Sequence, residues 1–378
     1  LGRTRSSARG RERWNRIGSL RPLLLPVFFV LSLGAGLGSS TLSCVSTRLQ
    51  PEQLPEQPIA FLHWPDKAAT KRAEIFEKAA ELPPPPPGQE QTPERTLREI
   101  QAHLRAEVSP ALQLRLAKHP GRLMLYWPQT GEIEPVEAAP LDALPLAWSP
   151  DHQRLLFASA RRGGEVQLYE YHMERRDLSP ITTGPAEHPR GSYVGDGRLV
   201  IHRSEQRSRY SIPHQSLVLT GLAGRIERVI AEDVIPGSMH FLAGQDRIVY
   251  EKVDVRPRSD GPAFYQSMVA TMGLEPGATE QTLVRGREPT PTPDGQWIVF
   301  ASESSAGYRL RRMRVDGTSR VPIRPGDTEE RMPSVSPDGE FIVFVHVVNG
   351  RRRLAVRRFD GTQERMLLKE GWSEFPVW

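Results

Sequence analysis

From Gly121 onward the chain alternates short apolar runs with Gly, Pro, Asp and Asn, a pattern that reads as strands joined by turns. One phrase recurs in it: WSPDHQRLLFAS from Trp148, YVGDGRLVIHRS from Tyr193, LAGQDRIVYEKV from Leu242, TPTPDGQWIVFAS from Thr290 and SVSPDGEFIVFVH from Ser334. Its aspartates, Asp151, Asp196, Asp246, Asp294 and Asp338, are 45, 50, 48 and 44 residues apart. A period in the forties that holds several short strands is the signature of propeller blades.

The phrase makes sense residue by residue. Proline fixes the first corner of a turn, aspartate bonds its own downstream backbone, and glycine supplies the positive φ that closes it. The WIVF and FIVF that follow are apolar on both faces, as a strand packed between two neighbouring blades must be. Downstream, Tyr308 to Ile323 and Arg352 to Leu368 each place Asp-Gly between alternating runs, which predicts hairpins. With the strand that leads into the first turn, each unit has four strands.

The two ends of this region fit together. Phe375 to Trp378 matches the run into the first turn, Pro145 to Trp148, and stops there. Leu123 to Trp127 and Ile133 to Val136 look like the last hairpin of a unit that lacks its beginning. The expectation is one shared blade that stitches the ring shut, with Ile59 to Phe61 as its remaining strand. The alternative is a chain cut short at Trp378.

Upstream the pattern is helical. Lys67 to Glu81 is rich in helix formers, and Pro83 to Pro87 follows as an extended polyproline spacer. Thr92 caps a second helix with Pro93 at its first position and Leu97, Ile100, Leu104 and Val108 along one face. Farther upstream, Leu23 to Leu37 is an uncharged apolar run too short and too glycine-rich for a spanning helix. Basic residues before it and small residues after it describe an export signal.

Charge changes the picture only through its location. The chain carries +5, but residues 1 to 43 hold seven arginines against Glu12, so they carry +6 and the remainder sums to −1. A nearly neutral body has no field for a polyphosphate backbone, so nucleic acid is not an expected partner. Cys44, the one cysteine, directly follows the small-residue exit. It resembles the lipidated cysteine of bacterial lipoprotein signals, with Thr41 where leucine is usual; ordinary cleavage that leaves a free thiol, or an uncleaved anchor, are the alternatives.

The repeats resemble those of the TolB-type β-propeller family, whose blades carry a Trp-Ser-Pro-Asp-Gly turn and an aliphatic strand. The likeness covers residues 121 to 378. The units at Asp294 and Asp338 match closely, the first has His152 for glycine, the second has Val194-Gly195 for Ser-Pro, and the third keeps its aspartate one place later. The resemblance implies an all-β, six-bladed propeller of four-stranded antiparallel blades that binds envelope proteins or peptides from the periplasm. It does not bring a particular partner with it, because TolB itself is soluble and has an α/β domain before its ring.

Three segments follow: 1–43 as a signal peptide, 44–120 as a proline-rich linker with helices, and 121–378 as the propeller. The expected function is a lipid-anchored binding scaffold in the cell envelope, without a cofactor, and the alternative is a carbohydrate lyase or hydrolase that uses the central channel. There is no Gly-x-Ser-x-Gly elbow, no His-Glu-x-x-His and no cysteine pair. No catalytic residue and no metal ligand are therefore assigned; His202, His240 and His346 lie near strand ends and read as ordinary strand residues. A turn-forming role accounts for the repeat aspartates. The long connection Asp254 to Phe264, with Arg256, Arg258 and Asp260, is the candidate binding loop. The sequence assigns no oligomeric state.

Overall fold

Each repeat folds as a four-stranded antiparallel sheet, and the chain builds six of them. The computed structural model describes residues 48–66 and 121–378, apart from 142, 161–163, 196, 208–212, 222–223, 257–263, 306, 325 and 327. The expected signal segment, Cys44, Asp196, the proline run and the two helices lie outside the described residues.

Blades two to six follow the chain. Blade two is Leu144–Trp148, Arg154–Ser159, Gln167–His172 and Asp177–Pro180; blade three is Glu187–Tyr193, Leu199–Glu205, His214–Thr220 and Ile226–Glu232. Blade four is Pro236–Leu242, Arg247–Arg256, Phe264–Gly273 and Gln281–Arg285. Blade five is Arg287–Pro291, Trp297–Ser304, Gly307–Arg314 and Val321–Pro322; blade six is Glu329–Val335, Phe341–Val348, Arg351–Arg358 and Glu364–Met366. In each, the first strand is innermost.

The closing blade has the order Trp372–Val377, Ile59–Trp64, Arg122–Tyr126, Ile133–Pro135. The C-terminal run, the early IAF strand and the orphan hairpin thus share one sheet, as their pattern predicted. The innermost strands touch in cyclic order from blade two to blade six, through the closing blade and back to blade two, so the ring is complete.

Alternation explains why one blade cannot stand alone. In the IAFLHW strand, Ile59 and Phe61 pack with Val343, Val345 and Leu354 of blade six, while Ala60, Leu62 and Trp64 pack with Leu144, Leu155 and Phe157 of blade two. Each fully buried Phe or Leu contributes about 1.5–3 kcal/mol, and it does so only when both neighbours are present. Trp64 is held so closely that a Cβ on Gly121, where the chain re-enters the sheet, would sit 2.2 Å from the indole.

The turns behave as their residues predict. Asp294 Oδ1 accepts from Thr292 Oγ1 at 2.5 Å and from the Gln296 N–H at 3.0 Å, and Asp338 accepts from Ser336 Oγ and the Glu340 N–H at 2.5 and 2.9 Å. Asp151 repeats this with Ser149 and the Gln153 N–H. Asp246 differs: the turn closes through Gln245 N–H to the Leu242 carbonyl, as Gly295 N–H closes on Thr292, so Asp246, at φ 46°, stands where blade five has Gln296. In a turn of the same length the LAGQD aspartate thus lies two places beyond the position of Asp294 and serves through its backbone.

Because the strands antiparallel one another, the ring has two distinct ends. The turns joining first to second strands, with the aspartates, lie at one end. The connections between second and third strands lie at the other, among them the departure of the chain at Asp66, its return at Gly121, and the link from Arg256 to Phe264.

Candidate functional site

All six innermost strands carry an irregularity at the same level. The register slips between Glu187 and Arg190, Pro236 and Met239, Arg287 and Thr290, Arg331 and Ser334, Pro145 and Ala147, and opposite Ala60 and Leu62 in the closing blade. Such bulges turn side chains that would otherwise alternate, here toward the axis. Glu288, Met332 and Phe375 take positive φ of 53°, 51° and 54° at corresponding places in three successive blades.

These bulges enclose a central cavity of about 120 Å³, lined from all six blades. Leu144, Leu146, Met332, Phe375, Pro376 and Val377 give it an apolar wall. The facing wall, from blades three to five, presents Arg190, Ser238, His240, Glu251, Arg287 and Glu288.

The charges on that wall are bound to one another across the seams. Glu251, 3% exposed, accepts from Arg287 Nε at 3.1 Å and from the backbone N–H of Glu288 at 3.0 Å. Glu288 in turn accepts from Arg331 Nη2 at 2.9 Å and from the Met332 N–H at 2.7 Å. Each carboxylate thus clasps the positive-φ residue of the next blade. Burial pushes the Glu288 carboxyl upward, but Arg331, Arg287 and the Met332 N–H outweigh it and hold it below the ordinary glutamate range. Gly237 makes room for the first clasp, since a Cβ there would lie 2.8 Å from the Glu251 carboxyl carbon. Arg190 Nε donates to the Gly237 carbonyl and ties blade three to the blade-four bulge.

The predicted residues separate. Of the three histidines near strand ends, His240 lines the cavity, while His202 and His346 sit on second strands, His202 paired to Gln215 Oε1 at 2.7 Å. The turn aspartates Asp151, Asp246, Asp294 and Asp338 occupy one end of the ring. Arg256 ends its strand opposite Phe264 at the other end, and Arg258 and Asp260 lie outside the described residues. The described strand end at Arg256 and these aspartates lie at opposite ends of the ring. Among the described residues there is no group of three or more His, Cys, Asp or Glu placed to hold a metal ion.

Sequence reasoning passed over Ser238, Glu251 and Glu288. A signal for them was available: Pro289, Pro333 and Pro376 interrupt apparent inner strands, and proline inside a strand marks a bulge.

No family model and no curated protein matches the chain. Solved structures do. TolB from Acinetobacter baumannii matches with TM-score 0.53 and 14% identity over 68% of this chain and 62% of that one. A putative TolB from Agrobacterium tumefaciens gives 0.50 and 21% over 66% and 87%, and a chain of a nidogen/laminin complex gives 0.52 and 8% over 68% and 95%. What is shared is the fold. The chain spans less than two thirds of the Acinetobacter protein, and at these identities the TolB-type resemblance of the repeats extends to the propeller itself.

Proposed function

We propose that the chain is an exported propeller, lipid-anchored through Cys44, that acts as a protein- or peptide-binding scaffold in the bacterial cell envelope. The observation that carries this reading is the state of the channel. The acidic groups around it, Glu251 and Glu288, are engaged by arginines and backbone donors of adjacent blades. Carboxylates tied in this way brace the ring and are poorly placed to exchange protons with a substrate, which favours binding over acid–base chemistry. The likeness to TolB propellers supports the envelope setting.

The test is capture from detergent-solubilised envelopes with the full chain as bait. A specific protein partner, lost when Arg256 and Arg258 are both changed to Ser, is the expected result. Turnover of a polysaccharide by the purified chain, with no partner captured, would replace the scaffold by a channel-using lyase or hydrolase. The anchor has its own readout: Cys44→Ser should release the protein from the membrane fraction, and unchanged retention would remove the lipid from the proposal.

A further inference from the structure

Two polar side chains on the cavity wall have no hydrogen-bond partner among the described residues. Ser238 sits in the blade-four bulge, and its buried hydroxyl has no hydrogen-bond partner. His240, two residues on, also lines the cavity, and neither ring nitrogen is bonded to a described protein group. Burial alone lowers its ring to about 4, so at pH 7 it is a neutral imidazole with one donor and one acceptor. A buried hydroxyl left unpaired is costly, and in native structures most find a protein, water or ligand partner.

The surroundings narrow what could satisfy them. Glu251 is paired with Arg287 and Glu288 with Arg331, and the Arg190 guanidinium is turned to the Gly237 and Pro189 carbonyls, so a charged ligand would have to break one of these contacts to find a counter-charge. Opposite stand Met332, Phe375, Pro376 and Leu146, which favour a small apolar body. The volume, about 120 Å³, is below the roughly 150 Å³ that accommodates benzene.

We propose that this cavity is a binding site for one uncharged amide group of a peptide, an Asn- or Gln-sized side chain or a backbone amide, with Ser238 and His240 as its hydrogen-bond partners and the apolar wall around its methylenes. The proposal rests on the scaffold reading for its peptide source, but not for the site. An N-acetyl sugar carries the same amide on a ring too large for the space.

Small probes test it on the full chain in mild detergent at pH 7, with ¹³C-labelled histidine followed by NMR and the His240 signal assigned by its loss in His240→Leu. Propionamide should shift that signal saturably, and propionate, its charged isostere, should not. Ser238→Ala, checked for an unchanged melting temperature, should weaken propionamide about tenfold, the effect of one hydrogen bond. Equal response to both probes, or none to either, overturns the proposal, because the cavity is then merely hydrated or unselective. Tighter binding of N-acetylglucosamine than of propionamide overturns the peptide assignment. Should Ser238→Ala fail to fold, the comparison of the two probes on the unaltered protein still decides. Partner capture reads the scaffold independently: a partner without a probe response sinks this inference alone, and a probe response without a partner sinks the scaffold alone.

Discussion

Blade six is one continuous stretch, Glu329 to Met366, whereas the closing blade gathers Trp372–Val377, Ile59–Trp64 and Arg122–Pro135 from distant parts of the chain. In blade six a Ser-Pro-Asp-Gly turn joins inner to second strand, so that pairing closes a short loop at little entropic cost. The inner strand of the closing blade has no such turn. Its ends are held instead by contacts between remote residues: Trp378 N–H to Ser334 Oγ at 3.0 Å, Trp378 Nε1 to the Gln57 carbonyl at 3.0 Å, and Trp148 Nε1 to the Val377 carbonyl at 3.1 Å. Asp66 adds a clamp, accepting from Arg351 at 2.5 Å and from the Gly371 N–H at 3.1 Å. Six sheets of one shape therefore form in two ways, five by local turn chemistry and one by burial of large side chains after the ring is nearly built.

Removing residues 372–378 should break that contrast most severely. The Ile59–Trp64 strand and the inner flanks of blades six and two would face water, and we expect the cooperative near-UV thermal transition to disappear. The milder Trp378→Ala, which leaves the strand but empties its buried end, should cost about 3–5 kcal/mol in urea unfolding. A deletion variant that melts as sharply as the full chain would show that the ring is not held at this seam.

Buried ion pairs sharpen the comparison next. In blade six, Arg357 is 2% exposed and donates to Glu330 at 2.5 Å and Glu364 at 2.6 Å. Burial disfavours its charge, yet the two carboxylates keep its pKa above the ordinary value. Glu330→Ala should cost about 3–5 kcal/mol by leaving that charge poorly matched. In the closing blade Glu374 pairs with Arg352, whose side chain is 21% exposed and can turn to water. Glu374→Ala should cost visibly less, and equal losses in urea titrations would contradict the argument.

This difference also explains what was legible beforehand. The turn chemistry of Asp294 and Asp338 is local, so spacing alone located five blades. The closing blade was legible only because Phe375–Trp378 repeats Pro145–Trp148 and because IAF is apolar on both faces. Asp246 misled by identity: it matched as an aspartate while standing at the Gln296 position of its turn, with a positive φ. The cavity was not legible, because its character depends on bulges that set Ser238 and His240 beside residues from five other blades, and pairings across seams leave no period in the sequence.

Acid should separate the blades in a third way. His188 and His202 in blade three, and His240 in blade four, are lowered to about 4, in each case chiefly by burial. The unfolded chain binds these protons near pH 6.5 and the folded one only near 4, so the unfolded state is favoured as pH falls through that window. Stability should therefore be full above pH 6.5 and decline down to about 4, by at most about 3 kcal/mol for each ring. His202→Gln, which can still bond Gln215, should flatten the slope of urea midpoint against pH. An unchanged slope would mean that His202 is already protonated or solvated in the fold.

The smallest effect tests the turn itself. His152 holds the slot that glycine fills at Gly295 and Gly339, at φ 55°, where a Cβ costs about 1–2 kcal/mol. Two terms oppose relief of that strain: glycine adds entropy to the unfolded chain, and the imidazole lies 6.2 Å from the Trp148 ring, centroid to centroid. His152→Gly should thus stabilise by about 0.5 kcal/mol, whereas Gly339→Ala should destabilise by about 1 kcal/mol, since it adds the strain with no aromatic contact to offset it. Thermal unfolding of the two variants side by side gives the signs. A loss in His152→Gly would mean that the ring contact, and not the turn, decides what this blade tolerates, and that the first repeat departs from the others because it is held as the closing blade is, by large side chains.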